Sequence, residues 1–440
     1  MKYYLVSLGC AKNTVDSESI ARLLNREGWE AAYTPQAADL LLVNTCGFIQ
    51  PAREESYDYL QELAEQKTEN QILVAAGCLP ERVQHELFQT IPAVDGMIGA
   101  RKWMDIVPFV NQVRKKHGLE PVYYPSGDRM DHEPDVLRAS IQGRSAYIKI
   151  ADGCRRKCAY CSIPLIKGTT VSRDMERILD DAKKLEKSGI QELILIAQDI
   201  TDYGQDIGIK NGLETLLTRL FKEVPAIPWI RLLYLFPGQI SDQLIDLMAE
   251  HPQLLHYIDI PLQHAHPEIL KKMNRPFDLD WIYKTFDKLR QRIPDVAIRT
   301  TFITGFPGET DKEFEFLLNF VKEMQFDRVG VFPFWFETGT PSEKLGDPIP
   351  YEIKQERLGT LMKAQEEISL SIQKRWVGKT MHVLTEGTSE DMVVGRSYRD
   401  APEIDGLVYI QGKVPMGEIV PVKITTAMVH DLIGKPIQKR

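Results

Sequence analysis

The sequence predicts a multidomain α/β protein in three parts. They are an N-terminal doubly wound parallel α/β domain, a central partial (β/α)6 barrel of TIM-like design, and a small C-terminal antiparallel β-barrel. Three observations predict it. Short apolar runs alternate with amphipathic helical stretches through the first third of the chain. The alternation stops in a turn-rich break and then resumes for six more strand–helix units. Past Gln373 the helical pattern gives way to short strands spaced by glycines.

In the first part, Tyr3 to Leu8 reads as a strand. Asp16 or Ser17 is the expected cap of a helix with Ile20, Leu23 and Leu24 on one face, ended by Gly28. Leu40 to Val43 is a continuous apolar strand of the buried parallel kind. Pro51 opens a second helix carrying Tyr57, Leu60 and Leu63, and Ile72 to Ala76 is a third strand. Cys10, Cys46 and Cys78 each directly follow one of these strands. Ligands of open α/β sheets bind beyond the carboxyl ends of the strands, so the three thiols share one edge and can meet there. The alternative is that cysteine is simply a small buried residue. Gly9, Gly47 and Gly77 beside them fit loops that a bulky cofactor approaches closely.

Pro121, Pro125-Ser-Gly127 and Asp131-His-Glu-Pro134 are turn chemistry. They divide the chain into a domain over 1–116, a linker over 117–140, the barrel over 141–370 and the terminal barrel over 373–440. The barrel strands are expected at Tyr147–Ala151, Leu193–Ala197, Ile230–Leu235, Tyr257–Ile260, Ala297–Ile303 and Val329–Phe334. A full TIM barrel needs eight. Functional groups belong after the strands' carboxyl ends. Those positions hold the Cys154 loop, Gln198-Asp199, Phe236-Pro237, Gln263-His264, Gly305-Phe-Pro-Gly308-Glu309 and Phe334-Trp335. The Gly305 loop reads equally as a plain turn, and His264 and His266 as helix-start residues.

Cys154, Cys158 and Cys161 stand three and then two residues apart. Thiolates this close can converge on one [4Fe–4S] cluster, and three ligands leave its fourth iron open for chemistry. Zinc uses similar spacings but takes a fourth Cys or His, and no partner pair follows.

A chain of 440 residues has ample core. No apolar run reaches the length of a membrane span, and the N-terminus reads as a strand, not a signal peptide. Six cysteines in a long chain with no export signal point to a cytosolic metal or redox role, not to disulfides. A net charge of −8 argues against a protein whose main task is wrapping nucleic acid.

The cysteine loop, with Tyr160 before the last Cys and a strand before the first, resembles the signature of radical S-adenosylmethionine (SAM) enzymes. Val6 to Glu18, Val43 to Phe48 and Gly77 to Arg82 resemble the N-terminal domain of the methylthiotransferases, and the terminal barrel, OB-like, resembles their TRAM domain. The resemblance implies a transferase with SAM and two [4Fe–4S] clusters, an auxiliary one on Cys10, Cys46 and Cys78 and a radical-SAM one on Cys154, Cys158 and Cys161. It implies SAM contacts at Tyr160, Gln198, Gln263 and Gly305. One SAM would donate a methyl to sulfur at the auxiliary cluster, and a second would be cleaved to a radical that takes hydrogen from the target carbon. Lys167-Gly168 departs from the family's usual Arg-Gly; its cation faces a cofactor or substrate carboxylate, or is a solvated surface lysine.

Arg399-Asp-Ala-Pro-Glu-Ile-Asp-Gly406 is acidic and resembles the stretch that marks the branch acting on ribosomal protein S-twelve of the small subunit. The expected reaction is therefore methylthio addition at the β-carbon of an aspartate of S-twelve, in the cytoplasm, with electrons from a donor such as flavodoxin or ferredoxin. Glu403 and Asp405 are expected to dock a basic protein partner; nucleic-acid contact is secondary, since few aromatics (Trp376, Tyr398, Tyr409) are present to stack on bases. The same chemistry on a tRNA adenosine, another radical-SAM reaction, and a non-catalytic iron–sulfur or RNA-binding ribosome factor are the alternatives.

Overall fold

Alternate residues of the N-terminal strands face two different cores, as a doubly wound sheet requires. In the computed structural model, which describes residues 1–127 and 133–437, Leu40, Leu42, Ile72 and Val74 pack with Trp103, Phe109 and Val113 on one face. Leu41, Val43, Leu73 and Ala75 pack with Leu60 and Leu63 on the other. Each fully buried Leu, Ile, Val or Phe among them contributes about 1.5–3 kcal/mol. The sheet order is Glu30–Ala31, Lys2–Ser7, Leu40–Thr45, Ile72–Gly77, Gly96–Gly99, Val122–Tyr124, with every pair parallel. The last strand lies inside the stretch read as a linker. Its three residues sit between two prolines and are too few to show a period, yet they close the sheet's edge.

The helix expected to start at Asp16 or Ser17 instead runs Ala11–Arg26, with Cys10 as its N-cap. Asn13, Asp16 and Ser17 are buried in its first two turns. Polar residues there look like a cap in sequence; here they face inward and serve the site.

The chain divides into two units. Unit 1 is Met1–Ser140, Tyr147–Arg173 and Trp335–Lys344; unit 2 is Ile141–Ala146, Asp174–Phe334 and Leu345–Arg440. The cysteine loop after strand Ser145–Lys149 thus falls in the same unit as the N-terminal sheet.

In unit 2, Glu192–Ile196, Trp229–Leu232, Leu254–Asp259, Ala297–Thr304 and Arg328–Pro333 pair in that order, all parallel. With Ser145–Lys149 they are the six strands expected of the partial barrel. The terminal domain is a closed five-stranded barrel around Val383, Val408, Ile410 and Val422. Its pairs are antiparallel except Val408–Ile410 with Leu432–Pro436.

This barrel is held to the strands of unit 2 by buried ion pairs. Glu192 is wholly buried and accepts from Arg231 at 2.7 Å and Arg396 at 2.6 Å. The acidic stretch belongs to the same junction. Asp400 pairs with Arg328, Arg399 with Asp327, and Asp405 accepts from the Tyr257 hydroxyl at 2.6 Å beside Arg299. Its charge is therefore spent on arginines of unit 2, and the docking role expected of Asp405 is not supported; only Glu403 and Ile404 are exposed. Tyr398 donates to the Asp295 carbonyl, and Trp376 lies under Arg399, so both rings serve packing. Among the described residues no helix is long and apolar enough to cross a membrane.

Candidate iron–sulfur site

Cys10, Cys46 and Cys78 follow three neighbouring parallel strands, which brings their loops together at one sheet edge. None of the six cysteines is disulfide-bonded. Cys10 is exposed, whereas Cys46 and Cys78 are buried. Burial pushes both buried thiols up, Cys78 to about 12 with Lys167 opposing. As thiols they are protonated, and a bound metal would have to displace those protons.

Sequence reasoning missed the residue that ties the loops. Asn13 donates to the Leu8 carbonyl at 3.0 Å and the Thr45 carbonyl at 2.9 Å, and its oxygen faces the Cys78 sulfur at 3.7 Å. One side chain thus touches all three loops. Its signal was position: it lies one turn after Cys10, on an amphipathic helix that breaks its own pattern. Thr45 adds a second tie, donating to the Ala76 carbonyl at 2.6 Å and accepting from the Leu79 amide at 3.2 Å. The flanking glycines serve the loops themselves. A Cβ on Gly9 would stand 3.0 Å from the Cys46 sulfur, and one on Gly47 2.8 Å from the Cys78 carbonyl. Gly77 adopts φ +92°, and a Cβ there would stand 2.2 Å from Asn44 Oδ1.

The second set is on the loop after Ala151–Asp152. Gly153 (φ +72°) turns the chain, with room for no Cβ against the Thr169 carbonyl at 2.1 Å. The Cys154 amide donates to the Gly168 carbonyl at 3.0 Å, and the Cys161 amide to the Cys158 carbonyl at 3.1 Å. Cys158 is buried and its two partners half-buried. This loop adjoins the first set within unit 1. The Ser162 hydroxyl donates to the Phe48 carbonyl at 2.7 Å, two residues beyond Cys46. Helix Ile163–Lys167 packs on helix Cys78–Val83, and Ile166, Ala100 and Cys78 form one apolar cluster. The Trp335–Lys344 segment joins both loops: Glu337, buried, pairs with Arg53 and with Arg82 at 3.0 Å, and the Ser342 amide donates to the Ala159 carbonyl at 2.9 Å.

Among the described residues no three His, Cys, Asp or Glu side chains close around a single-ion position. A four-iron cube holds its thiolates wider apart than one ion does, and two all-sulfur sets on preformed loops fit such clusters in donor chemistry.

The expected SAM contacts divide between the units. Tyr160 is half-buried on the cysteine loop. In unit 2, Gln198, Gln263 and Gly305 follow the strands Glu192–Ile196, Leu254–Asp259 and Ala297–Thr304. Gln198 Oε1 is buried with no hydrogen-bond partner, an acceptor fit for a ligand's donor. Gln263 is held at φ +77° by bonds to Thr301 and Ile303. The Gly305 amide donates to Glu309, which also accepts from Arg357 at 2.8 Å and from His264 Nε2 at 3.1 Å. Burial holds His264 below the ordinary imidazole value, with Glu309 opposing. Its Nδ1 accepts from the His266 amide, so Nε2 carries the proton, and His266 caps helix Pro267–Lys272. The Gly305–Glu309 loop is therefore a built structure and not only a turn.

Residues 148–321 match the model of the radical SAM superfamily, 2–99 that of the uncharacterised protein family UPF0004, and 377–437 that of the TRAM domain. The ribosomal protein uS12 methylthiotransferase RimO of Chloroflexus aurantiacus is 42% identical, over 99% of this chain and 100% of its own. The protein of the same name from Herpetosiphon aurantiacus is 43% identical over 99% and 100%. The radical SAM methyltransferase TsrM from Kitasatospora setae superposes with a TM-score of 0.56 at 14% identity, over 86% of this chain and 78% of its own, a likeness of fold.

Proposed function

The chain belongs to the ribosomal protein uS12 methylthiotransferase family of radical-SAM enzymes, and on that premise we propose that it adds a methylthio group to the β-carbon of an aspartate of uS12. Cys154, Cys158 and Cys161 hold the radical-SAM [4Fe–4S] cluster in this reading, and Cys10, Cys46 and Cys78 an auxiliary one. In this reading the SAM contacts of unit 2 are Gln198, Gln263 and Gly305, and that of unit 1 is Tyr160. With SAM and clusters bound, the cofactors supply hydrogen abstraction and a methylthio group. A donor of the flavodoxin or ferredoxin class provides electrons, and the enzyme works in the cytoplasm.

The observation that carries the reading is that both cysteine sets lie on adjoining loops of one compact unit. The protein's own part is to hold and to shield. Asn13 and Thr45 fix the auxiliary loops, while Gly153 and the Cys154–Gly168 bond shape the other. Apolar packing of Ile166 and Ala100 against Cys78 keeps water from that side, which a reactive primary radical requires.

The test is a paired assay on anaerobically reconstituted enzyme with SAM, sulfide and reductant, given uS12 in one reaction and undermodified tRNA in the other. Mass spectrometry should find the methylthio group on an aspartyl peptide. Addition to tRNA alone would refute the substrate, and binding without SAM cleavage would refute the enzyme.

A further inference from the structure

The sequence left Lys167 open between a cofactor contact and a solvated surface residue. In the structure it is buried, and it belongs to a group of five charges in unit 1. Asp16 accepts from Lys149 at 2.5 Å, Lys167 at 3.0 Å and Arg138 at 3.3 Å. Asp152 accepts from Lys149 at 2.7 Å and Arg138 at 3.0 Å, with Lys167 at 3.8 Å. All five side chains are 4% exposed or less. Glu133, a further carboxylate whose charge reaches Arg138, has its own cation in Arg173 at 2.6 Å.

A buried ammonium such as that of Lys167 is costly unless charge of opposite sign lies near it. The Lys167 ammonium also donates to the Ala100 carbonyl at 3.3 Å. Ala100 packs on Cys78, as does Ile166, the neighbour of Lys167. The Lys167 ammonium thus stands beside Cys78.

A [4Fe–4S] core of charge +2 with three thiolates carries −1, and one-electron reduction takes it to −2. We propose that Lys167, reaching from the radical-SAM cysteine loop into the Asp16 group, is a positioning residue that supplies the positive charge balancing the auxiliary cluster and so sets its reduction potential. The proposal rests on Cys10, Cys46 and Cys78 holding that cluster. It makes the auxiliary site depend electrostatically on a residue contributed by the loop of the other cluster.

Net charge near a cluster is one determinant of its potential. Removing a neighbouring cation disfavours the more negative reduced form, and removing a neighbouring anion favours it. The test uses the full-length Cys154→Ala/Cys158→Ala/Cys161→Ala protein, reconstituted so that only the auxiliary cluster is present. The potential is read by electron paramagnetic resonance during a redox titration. Lys167→Met should lower the reduced-to-oxidised ratio at fixed applied potential about tenfold, which is about 59 mV for one electron. Asp16→Asn should raise it, and Lys167→Arg should leave it unchanged. Lys149→Met, which removes a second cation of the group, should move it the same way as Lys167→Met. Loosened packing would not produce opposite shifts for opposite charge changes. Shifts of one sign for Lys167→Met and Asp16→Asn, or no shift, overturn the proposal while the cluster stands. Iron content separates its premise: a triple variant that binds no iron refutes the auxiliary cluster itself, and the proposal with it.

Discussion

Replacing Glu192 by Gln should release the terminal barrel from the rest of unit 2 without disturbing either cysteine set. Glu192 lies on a barrel strand and bonds to Arg231 of the next strand and Arg396 of the terminal domain, all three side chains 2% exposed or less. The amide keeps the volume but removes the charge, leaving two buried guanidinium groups short of a partner. Breaking a buried pair costs about 3–5 kcal/mol. The lower end applies here, because Arg396 keeps Glu386 and Arg231 keeps the Tyr398 carbonyl at 2.9 Å. Proton linkage gives a similar size. Burial by itself would raise the Glu192 carboxyl, but Arg396 and Arg231 outweigh it and hold it down to about 2. Against an unfolded value near 4.3, that is about 3 kcal/mol. This stabilisation is full above the unfolded value and lost as pH falls through 4 towards 2. The assay is hydrogen exchange at pH 7. Amides of Thr380–Ser389 and Met392–Ser397 should exchange roughly a hundredfold faster in the variant, since 3 kcal/mol is about two factors of ten. Unchanged exchange there, or an equal rise in Leu40–Thr45, would refute the reasoning. Acidifying the wild-type apoprotein should weaken the same strands in that pH window.

Asn13→Ala should leave the Leu8 and Thr45 carbonyls unsatisfied, at about 1–3 kcal/mol, and lower iron loading in a variant that keeps only the auxiliary set; full loading would show that Asn13 does not organise those loops. Gly77→Ala, with φ +92° and a Cβ set against Asn44, should destabilise unit 1 by more than about 1 kcal/mol, read as a fall in thermal midpoint. Glu309→Gln should weaken SAM binding, measured by calorimetry, because the Gly305 loop loses the carboxylate that gathers His264 and Arg357; unaltered affinity would remove that loop from the SAM site.

The fold was legible where periodicity is strong. Continuous apolar runs such as Leu40 to Val43 announced buried parallel strands, and a cysteine after each of three strands announced a shared edge. Val122–Tyr124 was not legible, because three residues between prolines carry no pattern. Asp16 and Ser17 misled for a physical reason: a buried polar residue and a helix cap look alike until a partner is known. Asp16 finds Lys149 and Lys167, which are 133 and 151 residues away in sequence. Asp405, in the acidic stretch at 399–406, misled likewise. Charge read along the chain suggested a foreign partner, whereas Arg299, Arg328 and Tyr257 supply the complement from within the same unit.

Unit 1 is assembled from three separated stretches of chain, and this sets a timetable for its birth. The Glu337 carboxylate that pairs with Arg82 is made 255 residues later. At translation rates of about 5–20 residues per second, the N-terminal sheet waits roughly 10–50 s for that closing segment. Through that interval Cys10, Cys46 and Cys78 are on the nascent chain while the Trp335–Lys344 segment is still unmade. On the proposed reading of these cysteines, cluster delivery has a window before the last strap of unit 1 is laid down.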